Sequence, residues 1–172
     1  MNLRGAKIID FTGTVNGADR YDRFSQKITD VLRQEAKNKT AVVFDRGFGF
    51  DQQVPHLVSD HLNFVGTNPL VGPNHPIGQR FPVVNEIYLT EFHDGALAKM
   101  PRGIVAGLKA GLTPNSDEEK FARAMGANFF SYNVVPTMIV AAHAGWKVLA
   151  IVIPQNSQLD KEAVTALLNQ VN

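Results

Sequence analysis

Apolar residues occur either in short runs or at helical spacing, and this alternation predicts a series of strands and helices. The first 45 residues contain one apolar run at 6–11 and a second at 40–44. Between them, apolar residues recur at helical spacing from Tyr21 to Leu32, with Asp19 as a candidate helix cap. We expect this helix to end near Asn38. The β-α-β order favours a parallel pair of strands.

The same pattern continues over the rest of the chain. An extended segment is predicted at 54–59, followed at 63–82 by a long loop rich in Gly, Pro and Asn. Further strands are predicted at 87–90, 103–108, 129–132 and 147–153. Helices are predicted at 116–124, from Pro136 to a stop at Gly145, and at 160–171, the first with a Ser116–Glu119 capping box. This order predicts an α/β three-layer sandwich with a mostly parallel central sheet.

Composition narrows the class of protein. A chain of 172 residues suits one domain, here 1–172, and 44% hydrophobic with 19% charged residues is typical of globular proteins. A formal net charge of +1 gives no reason to expect a nucleic-acid partner or an anionic membrane surface. The absence of cysteine excludes a thiolate nucleophile, a disulfide scaffold and cysteine-ligated metals.

Targeting and cofactor signals are also missing from the sequence. No apolar run reaches the ~20 residues that span a bilayer, and the start lacks a signal-like apolar run, so we expect a cytoplasmic protein. The five histidines and the scattered carboxylates show no metal-ligand spacing. Gly47-Phe48-Gly49 follows a strand but lacks the third glycine of a dinucleotide loop. We therefore expect neither a metal nor a cofactor.

One segment has an unusual density of specific Asn, Pro and Gly residues. It reads Asp60-His61-Leu62-Asn63-Phe64, then Gly66-Thr67-Asn68-Pro69-Leu70-Val71-Gly72-Pro73-Asn74, then Arg80-Phe81-Pro82. This run resembles the trimeric purine nucleoside phosphorylase family, including its methylthioadenosine-cleaving branch. A second stretch follows in the matching order: Met125-Gly126-Ala127, Val135-Pro136, Ile139 to Gly145, and a strand that ends in Gln155-Asn156. The resemblance covers residues 40–156 and implies a shortened nucleoside-phosphorylase fold.

The resemblance also implies a set of site residues. Asn156 matches the asparagine that hydrogen-bonds the purine, and an amide offers the donor and acceptor that a purine edge needs. A turn-capping role for Asn156 is the alternative. Asp45 replaces an asparagine that holds the leaving base, and Tyr132 replaces a methionine that packs under the ribose. Asn133 replaces a phosphate-binding serine, and Thr113 replaces an aromatic residue of the base-gripping loop.

The phosphate half of the family site is the least similar part. No early phosphate loop or Arg-x-His pair is found, and Thr12-Gly13-Thr14 is either a remnant of that loop or part of a later strand. Since the chain is shorter than the family it resembles, we expect the standard phosphate site to be largely lost. Phosphorolysis depends on positioning and charge stabilisation of the phosphate, which these groups would supply.

Three functional hypotheses follow. The first is a family homologue that binds a purine nucleoside or base. The second is an active phosphorylase, a pentosyltransferase to phosphate, in which Arg46 and Asp45 replace lost groups; a solvated surface turn is the alternative for this pair. The third is a non-enzymatic interaction protein. All three include a homotrimer or hexamer, in which Phe64 matches the aromatic residue that completes a neighbour's base site.

Overall fold

The computed structural model describes residues 3, 5–15, 17–34, 39–93 and 95–157. In chain order, its elements are β1 (Lys7–Asp10), β2 (Asp19–Arg20), α1 (Gln26–Gln34), β3 (Thr40–Gly47), β4 (His56–Asn63), α2 (Gly95–Lys99), β5 (Arg102–Gly107), α3 (Ser116–Ala124), β6 (Ala127–Ser131), α4 (Val134–His143) and β7 (Lys147–Pro154). No helix in these described ranges is long and apolar enough to cross a membrane.

The described strands form one sheet with the order β2-β1-β3-β7-β4-β5-β6. Every pairing among them is parallel except that of β4 with β7. The predicted α/β fold with a mostly parallel sheet is therefore confirmed. The parallel pair expected from the first 45 residues is β1 with β3.

Alternate side chains of the central strands point to opposite faces of the sheet, and each face is covered. Val43 and Val152 belong to a core cluster with residues of α1 and α4, whereas Phe44 and Ile153 belong to a cluster with Leu97 of α2. The helix α3 packs over β5 and β6 in a third cluster. Helices thus lie on both faces of the sheet, as the three-layer prediction requires.

The carboxyl ends of β3 and β6 meet, although these strands are far apart in the sheet order. Phe48, just after β3, forms an antiparallel bridge with Phe130 of β6. At Gly47, a Cβ atom would lie 2.4 Å from Val152 and 2.6 Å from Phe129, so glycine is required for this close approach. The sheet therefore curls until the ends of β3, β6 and β7 surround one region.

Two predicted boundaries were wrong by small shifts. Asp19 does not cap a helix, because it lies in β2, where it pairs with Ile9 of β1 and forms an ion pair with Lys7 at 2.8 Å. The first helix begins later, at Gln26. The capping box of α3 uses Asn115 and Glu118 rather than Ser116 and Glu119.

Three other predicted elements have different outcomes. The strand predicted at 87–90 is only an isolated bridge of Tyr88 with Val148. Farther along β7, at residues 151 and 152, the pairing is with β4 instead. The segment predicted as extended at 54–59 overlaps the start of β4, which begins at His56 and continues to Asn63. The helix predicted at 160–171 and the end of the first helix near residue 38 lie outside the described residues.

Candidate functional site

Asp45, at the end of β3, is 2% exposed and lies in a closed hydrogen-bonded network. Its Oδ2 accepts from Ser131 Oγ at 2.5 Å and from the Asn133 backbone N at 3.3 Å. Its Oδ1 accepts from Asn133 Nδ2 at 3.0 Å. Burial raises the pKa of Asp45, and the hydrogen bonds from Ser131 and Asn133 partly offset that rise. Both carboxylate oxygens are thus occupied by protein donors.

Asn133 precedes α4 and is bonded on both sides of its amide. Besides the Nδ2 bond to Asp45, its Oδ1 accepts from the backbone N of Phe24 at 2.8 Å. Asp45 and Asn133, which the sequence comparison assigned to the base and phosphate parts of the site, are therefore bonded to each other. The polar atoms of these two side chains are thus hydrogen-bonded to each other and to the Phe24 backbone before α1.

Thr12, in the segment compared with a phosphate loop, is also bonded internally. Its backbone N and Oγ1 both donate to Asp10 Oδ1, at 2.7 and 2.6 Å. Asp10 Oδ2 accepts from the backbone N of Val15. These donors therefore stabilise the loop after β1 around a buried carboxylate.

Tyr132 packs in an aromatic cluster at the end of β6. Its ring centroid lies 4.9 Å from that of Phe48, and Phe48 lies 5.9 Å from Phe130. The Tyr132 hydroxyl donates to the Leu112 carbonyl at 2.7 Å. Tyr132 thus connects the turn after β3 with the loop that carries Thr113.

Asn156 is exposed just beyond β7 and lines a small cavity of about 120 Å³. Gly47, Phe48 and Gln155 line the same cavity, which we call the Asn156 cavity. Arg46 is half-buried, and its Nη1 lies 3.5 Å from the Pro154 carbonyl, at the limit of hydrogen-bond distance. Arg46 and Asn156 are therefore brought to the same strand end.

Phe64 and Thr113 lie away from the Asn156 cavity. Phe64 follows β4, and its ring lies 5.9 Å from that of Phe121 on α3. Phe64, Leu112 and Phe121 line a separate cavity of about 630 Å³. Thr113 is exposed on the loop before α3 and lines neither cavity.

Comparisons with known proteins identify the family. Purine nucleoside phosphorylase 1 of Geobacillus stearothermophilus is 33% identical over 161 residues, covering 87% of this chain and 59% of that protein. Purine nucleoside phosphorylase 1 of Bacillus subtilis is 36% identical over 103 residues, covering 55% of this chain and 38% of that protein. The chain is a divergent member of the purine nucleoside phosphorylase family.

A solved structure agrees with this assignment. Isoform 2 of purine nucleoside phosphorylase from Schistosoma mansoni, in complex with cytosine and ribose-1-phosphate, superposes with a TM-score of 0.56 at 26% identity. The match covers 77% of this chain and 51% of that one. No protein-family model matches the sequence. The chain spans about half the length of the curated purine nucleoside phosphorylases that it matches.

Ser131 is a site residue that the sequence comparison missed. Its Oγ accepts from the backbone N of Asn133 and of Val134, both at 3.2 Å, while it donates to Asp45. Its position, at the end of a strand and three residues before a helix, was the available signal, because such a hydroxyl can bond the free amides of a helix start.

The turn after β3 was missed as well. Phe50 and Asp51 both have positive φ angles, 62° and 52°, which non-glycine residues rarely adopt. Glu119 Oε1 accepts from the Phe50 backbone N at 3.2 Å, and Arg123 lies over the Phe50 ring at 4.9 Å. A helix distant in sequence therefore holds this turn of the purine nucleoside phosphorylase homologue beside the Asn156 cavity.

No group of His, Asp and Glu side chains that could hold a metal occurs in the part of the chain that the structure describes.

Proposed function

We propose that this chain binds a purine base or nucleoside at the carboxyl end of β7, with Asn156 as the residue that bonds the base. The observation that carries the proposal concerns the Asn156 amide, which hydrogen-bonds to no other residue within the described ranges. A turn-capping asparagine instead uses its side chain for hydrogen bonds to nearby backbone groups. An exposed amide whose donor and acceptor bond none of the described residues, in this family and at this strand end, favours a ligand role.

The aromatic pair beside Asn156 supports this reading. Phe48 lines the Asn156 cavity and packs against Tyr132, so a base bonded to the amide would meet aromatic surface. A cavity of about 120 Å³ is smaller than the ~300–1,000 Å³ typical of ligand sites. A base therefore has to lie at the rim, or displace the Phe48 ring.

We further propose that the ordinary phosphate site is lost. Asn133, at the position of the family's phosphate-binding serine, uses its side chain on Asp45 and on the Phe24 backbone. Thr12 is committed to Asp10 in the same way. With these donors bonded internally, they are not available to hold a phosphate dianion in line for phosphorolysis.

One observation favours the alternative of an active phosphorylase with a rearranged site. The Arg46 guanidinium lies at the same strand end as Asn156, and an arginine can hold phosphate through several donors. Asp45 does not support this alternative, because its carboxylate is buried and fully bonded. A catalytic role for Asp45 would require the network to open.

A homotrimer or a hexamer is also part of the proposal. Phe64 and Phe121 leave an apolar surface, 36% and 59% exposed, that continues to Leu112 at 54%. A second copy of this chain would cover that surface, as expected from the resemblance. Light scattering should report three or six copies, and Phe64→Ser should lower that number; a monomeric wild type would contradict the assembly.

Titration calorimetry with hypoxanthine, adenine, inosine, guanosine and adenosine tests the binding proposal. We expect at least one to bind, and Asn156→Ala to weaken binding roughly tenfold, as loss of a well-made hydrogen bond does. Asn85→Ala, at an exposed asparagine in the loop before α2, is the matched control. No binding at millimolar ligand, or equal affinity in the two variants, would overturn the proposal.

A second assay separates binding from catalysis. Inosine is incubated with and without phosphate, and release of hypoxanthine is followed. We expect no phosphate-dependent release. Release that is lost in Arg46→Ala would instead establish the rearranged enzyme. No binding in the calorimetry together with no release of hypoxanthine would favour the non-enzymatic interaction protein.

A further inference from the structure

A cavity of about 500 Å³ lies on the α4 side of the sheet, between the end of β4 and the loop at 66–84. It shares no lining residue with the Asn156 cavity or with the cavity beside Phe64. Its polar lining consists of His61, Asn63, Asn68 and Arg80. We call it the His61 cavity; its size falls within the range of small-molecule sites.

The His61 ring is held in one protonation form by Tyr88. The Tyr88 hydroxyl lies 2.6 Å from His61 Nδ1 and has no other acceptor among the described residues. Burial raises the pKa of Tyr88 well above its usual 10.0, so the hydroxyl keeps its proton and donates it. Burial lowers the pKa of His61, with a partial opposing effect from Asp60. With the Tyr88 hydroxyl as donor, His61 Nδ1 accepts, and the neutral ring then carries its hydrogen on Nε2.

Two asparagines present their amide donors in the same way. Asn63 Oδ1 accepts from the backbone N of Val65 at 3.1 Å, and Asn68 Oδ1 accepts from that of Leu70 at 2.8 Å. Each acceptor oxygen is therefore already used within the loop. The Nδ2 groups of both asparagines have no partner in the ranges that the structure describes.

Arg80 adds the positive charge of the cavity. Its Nη1 donates to the Gly72 carbonyl at 3.0 Å, which leaves other guanidinium N–H groups available. No carboxylate is among the described residues that line the cavity. Asp60, which adjoins His61 in the sequence, does not line the cavity; its Oδ1 accepts from the His61 backbone N at 2.8 Å.

The rest of the lining is mostly apolar and includes Leu70 and Ile139, together with Val71 and Phe81, which are each 83% exposed at the rim. Four side chains with unused donors, one of them charged, therefore face a cavity with an apolar wall. Such a lining fits a ligand whose polar end only accepts hydrogen bonds.

We propose that the His61 cavity binds a small molecule that carries an oxyanion, a carboxylate or a phosphate, on an apolar body. His61 Nε2, the two amides and Arg80 bond the oxyanion, while the apolar residues cover the body. Tyr88 is a positioning residue, since it acts only by keeping the hydrogen on His61 Nε2. This site is independent of base binding at Asn156.

Three probes of similar size test the proposal on the full chain by titration calorimetry. Benzoate and phenyl phosphate carry the two kinds of oxyanion, and benzamide is the neutral equivalent of benzoate. We expect at least one anion to bind at least tenfold more tightly than benzamide. The stronger of the two anions identifies the head group. Equal binding of benzoate, phenyl phosphate and benzamide, or no binding by any of them, would overturn the proposal.

Two variants place the anion in this cavity. Arg80→Met should weaken the better anion roughly tenfold, whereas Arg23→Met, at an exposed arginine before α1, should leave it unchanged. Tyr88→Phe should weaken it several-fold and change the ¹⁵N shifts of the His61 ring toward a mixture of tautomers. Equal affinity in both arginine variants, or an unchanged His61 spectrum in Tyr88→Phe, would contradict the assignment. Excess hypoxanthine should not displace the anion.

Discussion

Ser131 Oγ donates a 2.5 Å hydrogen bond to Asp45 Oδ2, and it does so between β6 and β3, which are not neighbours in the sheet order. Both residues are buried. Because Ser131 also accepts from the first amides of α4, one hydroxyl connects two strand ends with the start of a helix. This connection fixes the edge at which Asn156 lies.

Removal of this hydroxyl should destabilise the fold in a pH-dependent way. Burial raises the folded-state pKa of Asp45 above its unfolded value, so its contribution to stability is lost as pH rises through the folded pKa. Ser131→Ala removes a hydrogen bond that lowers that pKa. We expect urea unfolding to show a loss of about 1–3 kcal/mol that grows as pH rises from 4 to 7.

The control for this experiment is Ser59→Ala, whose half-buried hydroxyl donates to the Gly103 carbonyl at 3.3 Å. It should show a smaller loss without pH dependence, because no carboxylate is its partner. A Ser131→Ala loss that matches the control at every pH would contradict the role given to Asp45.

The start of α3 provides a direct comparison of two candidate caps. Asn115 Oδ1 accepts from the backbone N of Asp117 and of Glu118, at 2.9 and 3.0 Å. Asn115→Ala should therefore reduce the free energy of unfolding by about 1 kcal/mol. Ser116→Ala should change it by less than about 0.5 kcal/mol, as is usual at surface positions. The reverse order in chemical denaturation would contradict the observed cap.

The same helix shows where local sequence stops being informative. Asn115 with Glu118 and Ser116 with Glu119 have the same spacing and suitable residue types, so the pattern fits two helix starts one residue apart. The choice depends on Glu119, which bonds the Phe50 backbone and Arg123 instead of a cap. The Phe50 partner, 69 residues away in the chain, is not visible from the local sequence.

The positions of the strands were predicted better than their pairing in the sheet. The strands β3, β5, β6 and β7 lie close to the predicted ranges, because buried parallel strands are apolar on both faces. The antiparallel pairing of β4 with β7 had no local signal. The short helix α2 also had none, since its stability depends on Leu97 packing under the sheet.

The loop at 66–84 approaches the end of α4 closely at Gly78. A Cβ atom there would lie 1.8 Å from the His143 carbonyl oxygen, so even alanine cannot fit without a shift of the loop. Gly78→Ala should lower the melting temperature more than Gly66→Ala, where only a positive φ of 75° opposes the substitution. Equal shifts in a thermal unfolding scan would contradict the close contact.

Acidification should weaken the same contact through His143. This residue is 3% exposed; its Nε2 bonds Asn74 Oδ1 at 3.1 Å, and its buried Nδ1 has no hydrogen-bond partner in the part of the chain that the structure describes. Burial lowers the pKa of His143, and the charges of Arg33 and His75 lower it further. The contribution of neutral His143 to the free energy of unfolding is therefore fully present above the unfolded pKa of about 6.5, and it is lost as pH falls through the folded pKa.

His143→Gln tests this dependence because the glutamine amide can donate to Asn74 Oδ1 in place of the imidazole but cannot titrate. The slope of unfolding free energy against pH below 6.5 should decrease by up to about 1.4 kcal/mol per pH unit. His93→Gln, at an exposed histidine, should leave the slope unchanged. A wild-type slope in both variants would contradict this role of His143.

The sequence selects candidate site residues but does not show which of their polar atoms are free to bind a ligand. The resemblance selected Asp45, Asn133 and Asn156, and the structure brings the first two together. That Asp45 and Asn133 bond each other depends on the curl of the sheet at Gly47, which the order of residues does not reveal. The availability of a side chain is decided by its neighbours in space.

The central claim is that a base site persists while the phosphate site is lost. A crystal structure of the protein grown with inosine and phosphate tests both halves at once. We predict the base bonded to the Asn156 amide, with Asn133 still bonded to Asp45 and Phe24 and no phosphate beside it. Phosphate bonded to Asn133, or a nucleoside bound away from Asn156, would contradict the account.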